Sequence, residues 1–248
     1  MLTENELKRY TRQMIMDGWG EAVQERLKSS TVFIAGAGGL GSPVSIYLAV
    51  AGIGNIIICD FDTPDISNLN RQILHDDTRI GINKALSAKM TLERLNPNIR
   101  VTAITERIVE DNVDQLVANA DIIMDCMDNF PTRYILNDCA IRKHIPMVYG
   151  SIWGMDGRLS FIHSPETPCL KCIFEDAPPK EVFPVVGATP GVIGSLQALE
   201  AIKYLTGIGK PLKGRLLVWE GETMRFNIFN LQKDPHCPSC AGVHDILD

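Results

Sequence analysis

Short apolar runs alternate with helical patterns through the first 150 residues of the chain. The predicted strands are 31–35, 55–59, 100–104, 121–126 and 145–149, and the predicted helices between them are 42–51, 84–95, 111–119 and 131–143. Continuously apolar strands that alternate with helices are typical of a parallel, doubly wound sheet. Before the first strand, residues 4–28 are predicted to form one helix, because Leu7, Tyr10, Met14 and Ile15 share one side of it.

After residue 150 the alternation stops. The predicted elements are strands 158–163, 215–220 and 225–230, with a helix at 192–206 and a hairpin turn at 221–224. The segment 173–190 is proline-rich and has no periodicity, and loops of that length are usually functional. No linker divides the chain, so we predict a single α/β domain over 1–248. Its Rossmann-like, mostly parallel sheet is continued by a mixed or antiparallel β half.

The composition narrows the class of protein. The chain has 248 residues, 45% of them hydrophobic, and a net charge of −6, which does not suggest a general nucleic-acid-binding surface. No apolar run approaches the roughly 18 residues of a membrane span, and the polar N-terminus is unlike a secretory signal. We therefore expect a cytoplasmic protein. In that compartment, seven cysteines favour metal or redox chemistry over disulfides.

A glycine-rich turn follows the first predicted strand. Gly36, Gly38 and Gly41 fit the pattern G-x-G-x-x-G, with Gly39 inside it, and Asp60 ends the second strand. Such glycines let the backbone approach a phosphate at a helix N-terminus, while the acid can accept ribose hydroxyls. The turn could instead only pack the helix on the sheet. The pattern predicts a nucleotide site without choosing among NAD, FAD and ATP.

Charged residues after the glycine turn favour ATP. Asp62, Asn68 and Arg71 follow Asp60, and Lys84 lies in the first turn of the next predicted helix. A cation is disfavoured at that end of a helix unless an anion binds there. Each of these residues could be an ordinary surface residue, but together they place Arg71 and Lys84 beside a phosphate loop, and these two cations suit the charge of a triphosphate.

Asp128 follows the strand 121–126, whose carboxyl end faces the ligand side of an open α/β sheet. Magnesium takes few protein carboxylates together with phosphate oxygens, so Asp128 is a candidate Mg²⁺ ligand. The alternative is that Asp128 only caps the helix 131–143. A hydride-transferring enzyme would need neither this carboxylate nor the cations before it.

Two cysteine pairs lie far apart in the chain. Cys169 and Cys172 form one C-x-x-C pair, and Cys237 and Cys240 form the other. Four thiolates complete a tetrahedral Zn²⁺ site and leave no open position, so the predicted zinc is structural. His236 could replace one of these cysteines as a ligand.

Taken together, these motifs resemble the ThiF/MoeB/HesA family, the bacterial relatives of ubiquitin-activating enzymes. The matching segments are Arg9-Tyr10-x-Arg12-Gln13, Gly36 to Gly41, Asp60-x-Asp62, Asn68-Leu69-x-Arg71-Gln72, Lys84, Asp125-Cys126-x-Asp128-Asn129, both cysteine pairs and Gly194 to Ala201. The resemblance implies a homodimer that binds ATP and Mg²⁺ and adenylates the C-terminal Gly-Gly carboxylate of a ThiS- or MoaD-like sulfur carrier. Thiamin, molybdopterin or another sulfur-transfer pathway could lie downstream.

The resemblance also assigns roles to residues. Asp60 holds the ribose, Asn68, Arg71 and Lys84 hold the phosphates, Asp128 holds Mg²⁺, and Arg12 reaches the phosphates from the other subunit. It divides the chain into an N-terminal helical segment (1–30), a nucleotide-binding half (31–150) and a carrier-binding and zinc half (151–248).

One departure from the family concerns sulfur. Many members carry a cysteine after the first cysteine pair that can join covalently to the activated carrier, whereas residues 173–236 contain none and Lys180 to Pro184 occupy that region. We therefore expect catalysis to end at the acyl-adenylate, with sulfur delivered by another protein or a small donor.

Three other functions remain open at this point. A related ATP-dependent dehydratase that forms cyclic threonylcarbamoyladenosine in tRNA would share the nucleotide motifs, although the cysteine pairs argue against it. An NAD- or FAD-dependent oxidoreductase would leave Arg71, Lys84 and Asp128 without a role. A non-catalytic scaffold would not need the complete nucleotide set.

Overall fold

The computed structural model describes residues 1–177 and 184–242, and an eight-stranded sheet runs through them in the order β3-β2-β1-β4-β5-β6-β7-β8. The strands are β1 (Thr31–Ala35), β2 (Asn55–Cys59), β3 (Arg100–Ile104), β4 (Ile122–Asp125), β5 (Met147–Trp153), β6 (Asp156–Ile162), β7 (Arg215–Glu220) and β8 (Arg225–Asn230). The helices are α1 (Glu4–Met14), α2 (Gly20–Ser29), α3 (Gly41–Ala51), α4 (Lys84–Leu95), α5 (Val113–Val117), α6 (Phe130–Lys143), α7 (Leu170–Ile173) and α8 (Ala188–Thr206).

The sheet changes direction at β5. Strands β1 to β5 pair in parallel, whereas β5 to β8 pair antiparallel, so β5 belongs to both parts. Helical crossovers connect the parallel strands, and tight hairpins connect β5 to β6 and β7 to β8, as each kind of pairing requires. The predicted α/β class, with a parallel half continued by an antiparallel one, is confirmed.

Helices cover both faces of the parallel half. On one face, Ile34 of β1 lies in a buried cluster with Leu48 of α3 and Leu92 of α4. On the other face, Phe33 lies in a second cluster with Leu136 of α6. Successive residues of β1 therefore point into two different cores, which explains why the strand is apolar throughout.

The prediction of one helix over residues 4–28 is wrong. Helix α1 ends at Met14 and α2 begins at Gly20; Gly18 in the connection and Gly20 itself have φ angles of +78° and +61°. Those left-handed conformations interrupt a right-handed helix and favour glycine. Ile15, which the single-helix pattern placed on the buried side, is exposed at the end of α1.

Other boundaries differ less. Strand β5 continues to Trp153 instead of ending at 149, because its last residues pair with β6 across a hairpin. Helix α8 begins at Ala188, inside the segment predicted to be irregular, and α5 covers only the middle of the predicted helix 111–119. No helix within the described residues is long and apolar enough to cross a membrane.

Candidate nucleotide and metal sites

The glycine turn lies at the carboxyl edge of β1 and leads into α3. Gly36 has a φ of +96°, and a methyl group at Gly41 would lie only 2.0 Å from the carbonyl oxygen of Gly36. The turn folds back so tightly that no side chain fits at Gly41. We call residues 36–41 the glycine loop; its backbone N–H groups lie at the N-terminus of α3, a position suited to phosphate binding.

Asp60 follows β2 and supports the glycine loop directly. One carboxylate oxygen accepts the N–H of Ala37 at 2.8 Å, and the other accepts the N–H of Asp62 at 2.9 Å. Burial raises the pKa of Asp60, and these two backbone donors oppose the rise. The carboxylate is thus fixed beside the glycine loop.

Lys84 lies in the first turn of α4, close to the same edge. Its side chain is almost fully buried, and its ammonium lies 3.6 Å from the carboxylate of Asp62. Asn83 caps the helix by accepting the N–H groups of Ala85 and Leu86, and its amide donates to the Asp60 carbonyl. The cap and the ion pair together hold the buried Lys84 ammonium near Asp60, and its charge opposes the rise in the Asp60 pKa.

Arg71 and Asn68 lie on the turn between β2 and α4. Arg71 donates to the carbonyl of Ser67 at 3.0 Å, and its Cδ lies 3.7 Å from the position that a Gly39 side chain would take. The side chain of Asn68 accepts the N–H of Asp65 and closes a short 3-10 turn. The turn therefore places the aliphatic part of the Arg71 side chain against the glycine loop, with its guanidinium on the Ser67 carbonyl and the Asn70 side chain.

Asp128 lies in the turn between β4 and α6, and its side chain is exposed. The residue that caps α6 is Asn129, which accepts the N–H of Thr132 at 3.0 Å. The alternative that Asp128 only caps this helix is therefore wrong. Its carboxylate contacts only the Asn129 amide, at 3.3 Å, among the hydrogen bonds of the described residues, which leaves it available to a cation.

Two buried residues beside the glycine loop were not among the candidate site residues. His75 is buried under the glycine loop, where its Nε2 bonds to the Ala37 carbonyl and its Nδ1 to Ser87. Gln72 is buried beside Gly38, and its side-chain oxygen has no partner among the described residues. Gln72 belonged to a motif already noted, whereas no periodicity or spacing distinguishes a histidine that supports a loop.

Arg12 is not part of this assembly. It is exposed in the last turn of α1, and its neighbour Gln13 donates to the Ala51 carbonyl at the C-terminal end of α3. The glycine loop lies at the other end of α3, about 16 Å away for a helix of 11 residues. The described contacts therefore place Arg12 away from the nucleotide site of its own chain.

The four paired cysteines converge on one point. Their sulfur atoms lie within 4.8 Å of one another, with Cys169 at 3.5 Å from Cys237 and Cys172 at 3.4 Å from Cys240. Tetrahedral zinc with Zn–S bonds of about 2.3 Å needs sulfur atoms about 3.8 Å apart, so the cluster fits the ion. Burial raises the pKa of Cys240 to about 11, and a bound cation would offset the cost of four adjacent thiolates.

Helix α6 holds both cysteine pairs. Asn137, which is fully buried, accepts the N–H of Leu170 at 2.8 Å, and Asp138 accepts the Ser239 hydroxyl at 2.7 Å. The cluster therefore fastens the C-terminal segment to α6. His236, the alternative ligand, is exposed and is not one of the four clustered groups.

Comparison with known proteins gives the family. The model of the ThiF family matches residues 10–239, nearly the whole chain. The chain belongs to the ThiF family. This ThiF-family chain contains all the glycine-loop, acidic and cysteine motifs on which the resemblance rested. Its sheet brings the glycine loop and the acidic residues to the carboxyl edge of the parallel strands.

The chain matches two relatives over almost the full length of both proteins. The chain is 41% identical to the sulfur carrier protein adenylyltransferase of Thermus thermophilus, over 96% of this chain and 92% of that protein. It is 40% identical to the SAMP-activating enzyme E1 of Haloferax volcanii, over 100% of this chain and 94% of that one. Among solved structures, E. coli MccB with AMPCPP and MccA superposes with a TM-score of 0.83 and 26% identity, covering 94% of this chain and 74% of that one.

Proposed function

We propose that this protein uses ATP to adenylate the C-terminal carboxylate of a small ubiquitin-like sulfur-carrier protein, giving an acyl-adenylate and pyrophosphate. The observation that carries the proposal is the meeting of the glycine loop, Asp60, Lys84 and Arg71 at one edge of the sheet. Two cations beside a phosphate-binding turn suit a triphosphate, and the names of the two relatives point to carrier activation.

In the proposed reaction, a carrier carboxylate oxygen attacks the α-phosphorus of ATP while the bond to the bridging oxygen breaks and pyrophosphate leaves. No protein nucleophile is needed, so the enzyme acts by positioning and charge neutralisation. Asp60 would hold the ribose, the glycine loop the phosphates, and Asn68, Arg71 and Lys84 the charge that moves to pyrophosphate. Asp128 would hold Mg²⁺, which supplies further neutralisation of the phosphate oxygens when bound.

A homodimer is part of the proposal because of Arg12. This arginine lies at the far end of α3 from its own glycine loop, so a contribution to catalysis would have to be made in a partner subunit. We also infer a cytoplasmic location, for which the seven free cysteines are the support. The paired cysteines would hold a structural Zn²⁺.

We further propose that the reaction ends at the acyl-adenylate. The support is the absence of cysteine from residues 173–236 of the sequence. Part of that region, 178–183, lies outside the described residues, so the expectation for Lys180 to Phe183 rests on the sequence alone. A reducible enzyme–carrier conjugate found by mass spectrometry would contradict this part of the proposal.

The decisive experiment is exchange of labelled pyrophosphate into ATP, with a panel of ubiquitin-like proteins that end in Gly-Gly. Exchange should require a carrier and its free terminal carboxylate. Lys84→Ala should abolish it, whereas Lys89→Ala, on the exposed side of the same helix, should not. Exchange that depends on tRNA, or binding of NAD or FAD with no exchange, would overturn the proposal in favour of another function.

A further inference from the structure

The turn that carries Asp128 is fastened from beneath by a buried ion pair. Asp125 ends β4 and is fully buried, and Arg133 of α6 is only 4% exposed. The Arg133 Nε lies 3.7 Å from an Asp125 carboxylate oxygen. Neither residue faces solvent, so the pair does not serve as a surface ion pair.

The two residues hold the peptide groups on both sides of Met127. The Asp125 carboxylate accepts the Met127 N–H at 3.1 Å, and Arg133 Nη2 donates to the Met127 carbonyl at 2.5 Å. Met127 directly precedes Asp128. Because its N–H and its carbonyl are both bonded, the backbone that leads to the Asp128 carboxylate has little freedom.

The pair is itself braced by the neighbouring elements. Arg133 Nη2 also donates to the Gly150 carbonyl of β5 at 3.0 Å. Gln197 of α8, fully buried, donates to the carbonyls of Asp125 at 2.9 Å and Val148 at 3.1 Å. These hydrogen bonds thus fix the position of the turn relative to β5 and α8 as well as to its own strand.

Stability alone does not account for this arrangement. A buried ion pair generally contributes little net stability compared with apolar residues of the same size, because both charges lose their hydration. What a guanidinium offers is a planar set of donors that fixes several acceptors at once, with faces that pack on aromatic rings. The Arg133 guanidinium lies 5.2 Å from the ring centre of Phe130 and 5.0 Å from that of Tyr149, which sets its orientation.

We infer that Arg133, together with Asp125, is a positioning residue that holds the Asp128 carboxylate in place for the divalent cation of the bound nucleotide. The inference rests on the proposed role of Asp128 and assigns no contact between Arg133 and the substrate. Loss of a residue that orients a metal ligand typically weakens metal affinity or activity about 10- to 100-fold.

The test compares Arg133→Lys and Asp125→Asn with Arg142→Lys. Arg142 lies on the same helix but is exposed and paired with Asp114, so it controls for an arginine-to-lysine change in α6. Lysine keeps the charge at position 133 but cannot reach all the acceptors. Two quantities are measured for each folded protein: the Mg²⁺ concentration for half-maximal carrier-dependent exchange, and the dissociation constant of Mn²⁺ in the presence of a non-hydrolysable ATP analogue, by electron paramagnetic resonance.

Both quantities should rise about 10- to 100-fold for Arg133→Lys and remain unchanged for Arg142→Lys. A merely structural role would lower the active fraction without moving either one, so folded variants with wild-type Mg²⁺ and Mn²⁺ dependence would overturn the inference. If Arg133→Lys does not fold, the same two quantities are measured for Asp125→Asn, which keeps an acceptor for the Met127 N–H. A rise in both is then expected, and wild-type values would overturn the inference. Because Mn²⁺ binding needs no carrier, it separates failure of this inference from failure of the proposed reaction.

Discussion

The Nε2 atom of His75 lies 2.9 Å from the carbonyl oxygen of Ala37, in the middle of the glycine loop. A carbonyl only accepts hydrogen bonds, so Nε2 carries the proton, and Nδ1 accepts from the Ser87 hydroxyl at 2.8 Å. Burial lowers the pKa of His75 and keeps the ring neutral in this tautomer. The loop that would hold phosphates is thus supported from the protein interior as well as by Asp60 from the side.

Replacing His75 should weaken nucleotide binding. His75→Leu leaves the Ala37 carbonyl buried without its partner, at a cost of about 1–3 kcal/mol in the free energy of unfolding. Ser87→Ala removes only the donor to Nδ1 and should have a smaller effect. Isothermal titration with ATP and thermal unfolding would measure both, and an unchanged ATP affinity in a folded His75→Leu protein would refute the supporting role.

Adding a side chain at Gly41 should be more damaging to nucleotide binding. Alanine there would place a methyl group 2.0 Å from the Gly36 carbonyl oxygen, so Gly41→Ala should force the loop open and abolish ATP binding. Gly191 of α8 has no atom within 4 Å of the corresponding position, and Gly191→Ala should raise stability by up to about 1 kcal/mol. Thermal shift with and without ATP distinguishes the two, and equal behaviour would contradict the geometry.

The buried carboxyl of Asp125 should make stability depend on pH. Burial raises its pKa from 3.8 to about 6, with the nearby Arg133 opposing the rise. The folded protein therefore binds this proton more tightly than the unfolded chain does, and the Asp125 contribution to stability increases as the pH falls from about 6 towards 4. The shift corresponds to about 3 kcal/mol at most.

Urea unfolding of the wild-type protein and of Asp125→Asn across this range provides the measurement. The difference between their free energies of unfolding should move in favour of the wild type as the solution becomes more acidic. Comparing the two proteins cancels the contributions of other titrating groups, such as His163, whose pKa is lowered by burial. A difference that stays constant from pH 7 to pH 4 would mean that Asp125 titrates alike in both states.

The cysteine cluster should contain one zinc ion in the purified protein. Cys172→Ser should lower the zinc content and the unfolding temperature, because the cluster joins the C-terminal segment to α6. Cys139→Ala is the control, since Cys139 is a buried free cysteine of α6 outside the cluster. Metal analysis by mass spectrometry would decide, and full zinc content in Cys172→Ser would exclude Cys172 as a ligand.

The parallel half of the fold was predictable because its signals are local. A mostly apolar run such as 31–35 is typical of a strand buried on both faces, and a glycine turn of this spacing after a strand typically leads into a helix. The hairpin of β5 and β6 was less predictable, since its partner strands form one extended pair only in the folded sheet. The break between α1 and α2 was missed because a glycine inside a helical pattern does not by itself reveal a left-handed φ angle such as those of Gly18 and Gly20.

By itself the sequence determined the family, the glycine loop, the acid at position 60 and the two cysteine pairs, because each depends on residue type at short spacing. Only the tertiary structure decided which side chains support them. His75 reaches Ala37 from 38 positions away, and Arg133 of α6 reaches the Gly150 carbonyl of β5. Such contacts depend on how helices cross the sheet, which no local pattern encodes.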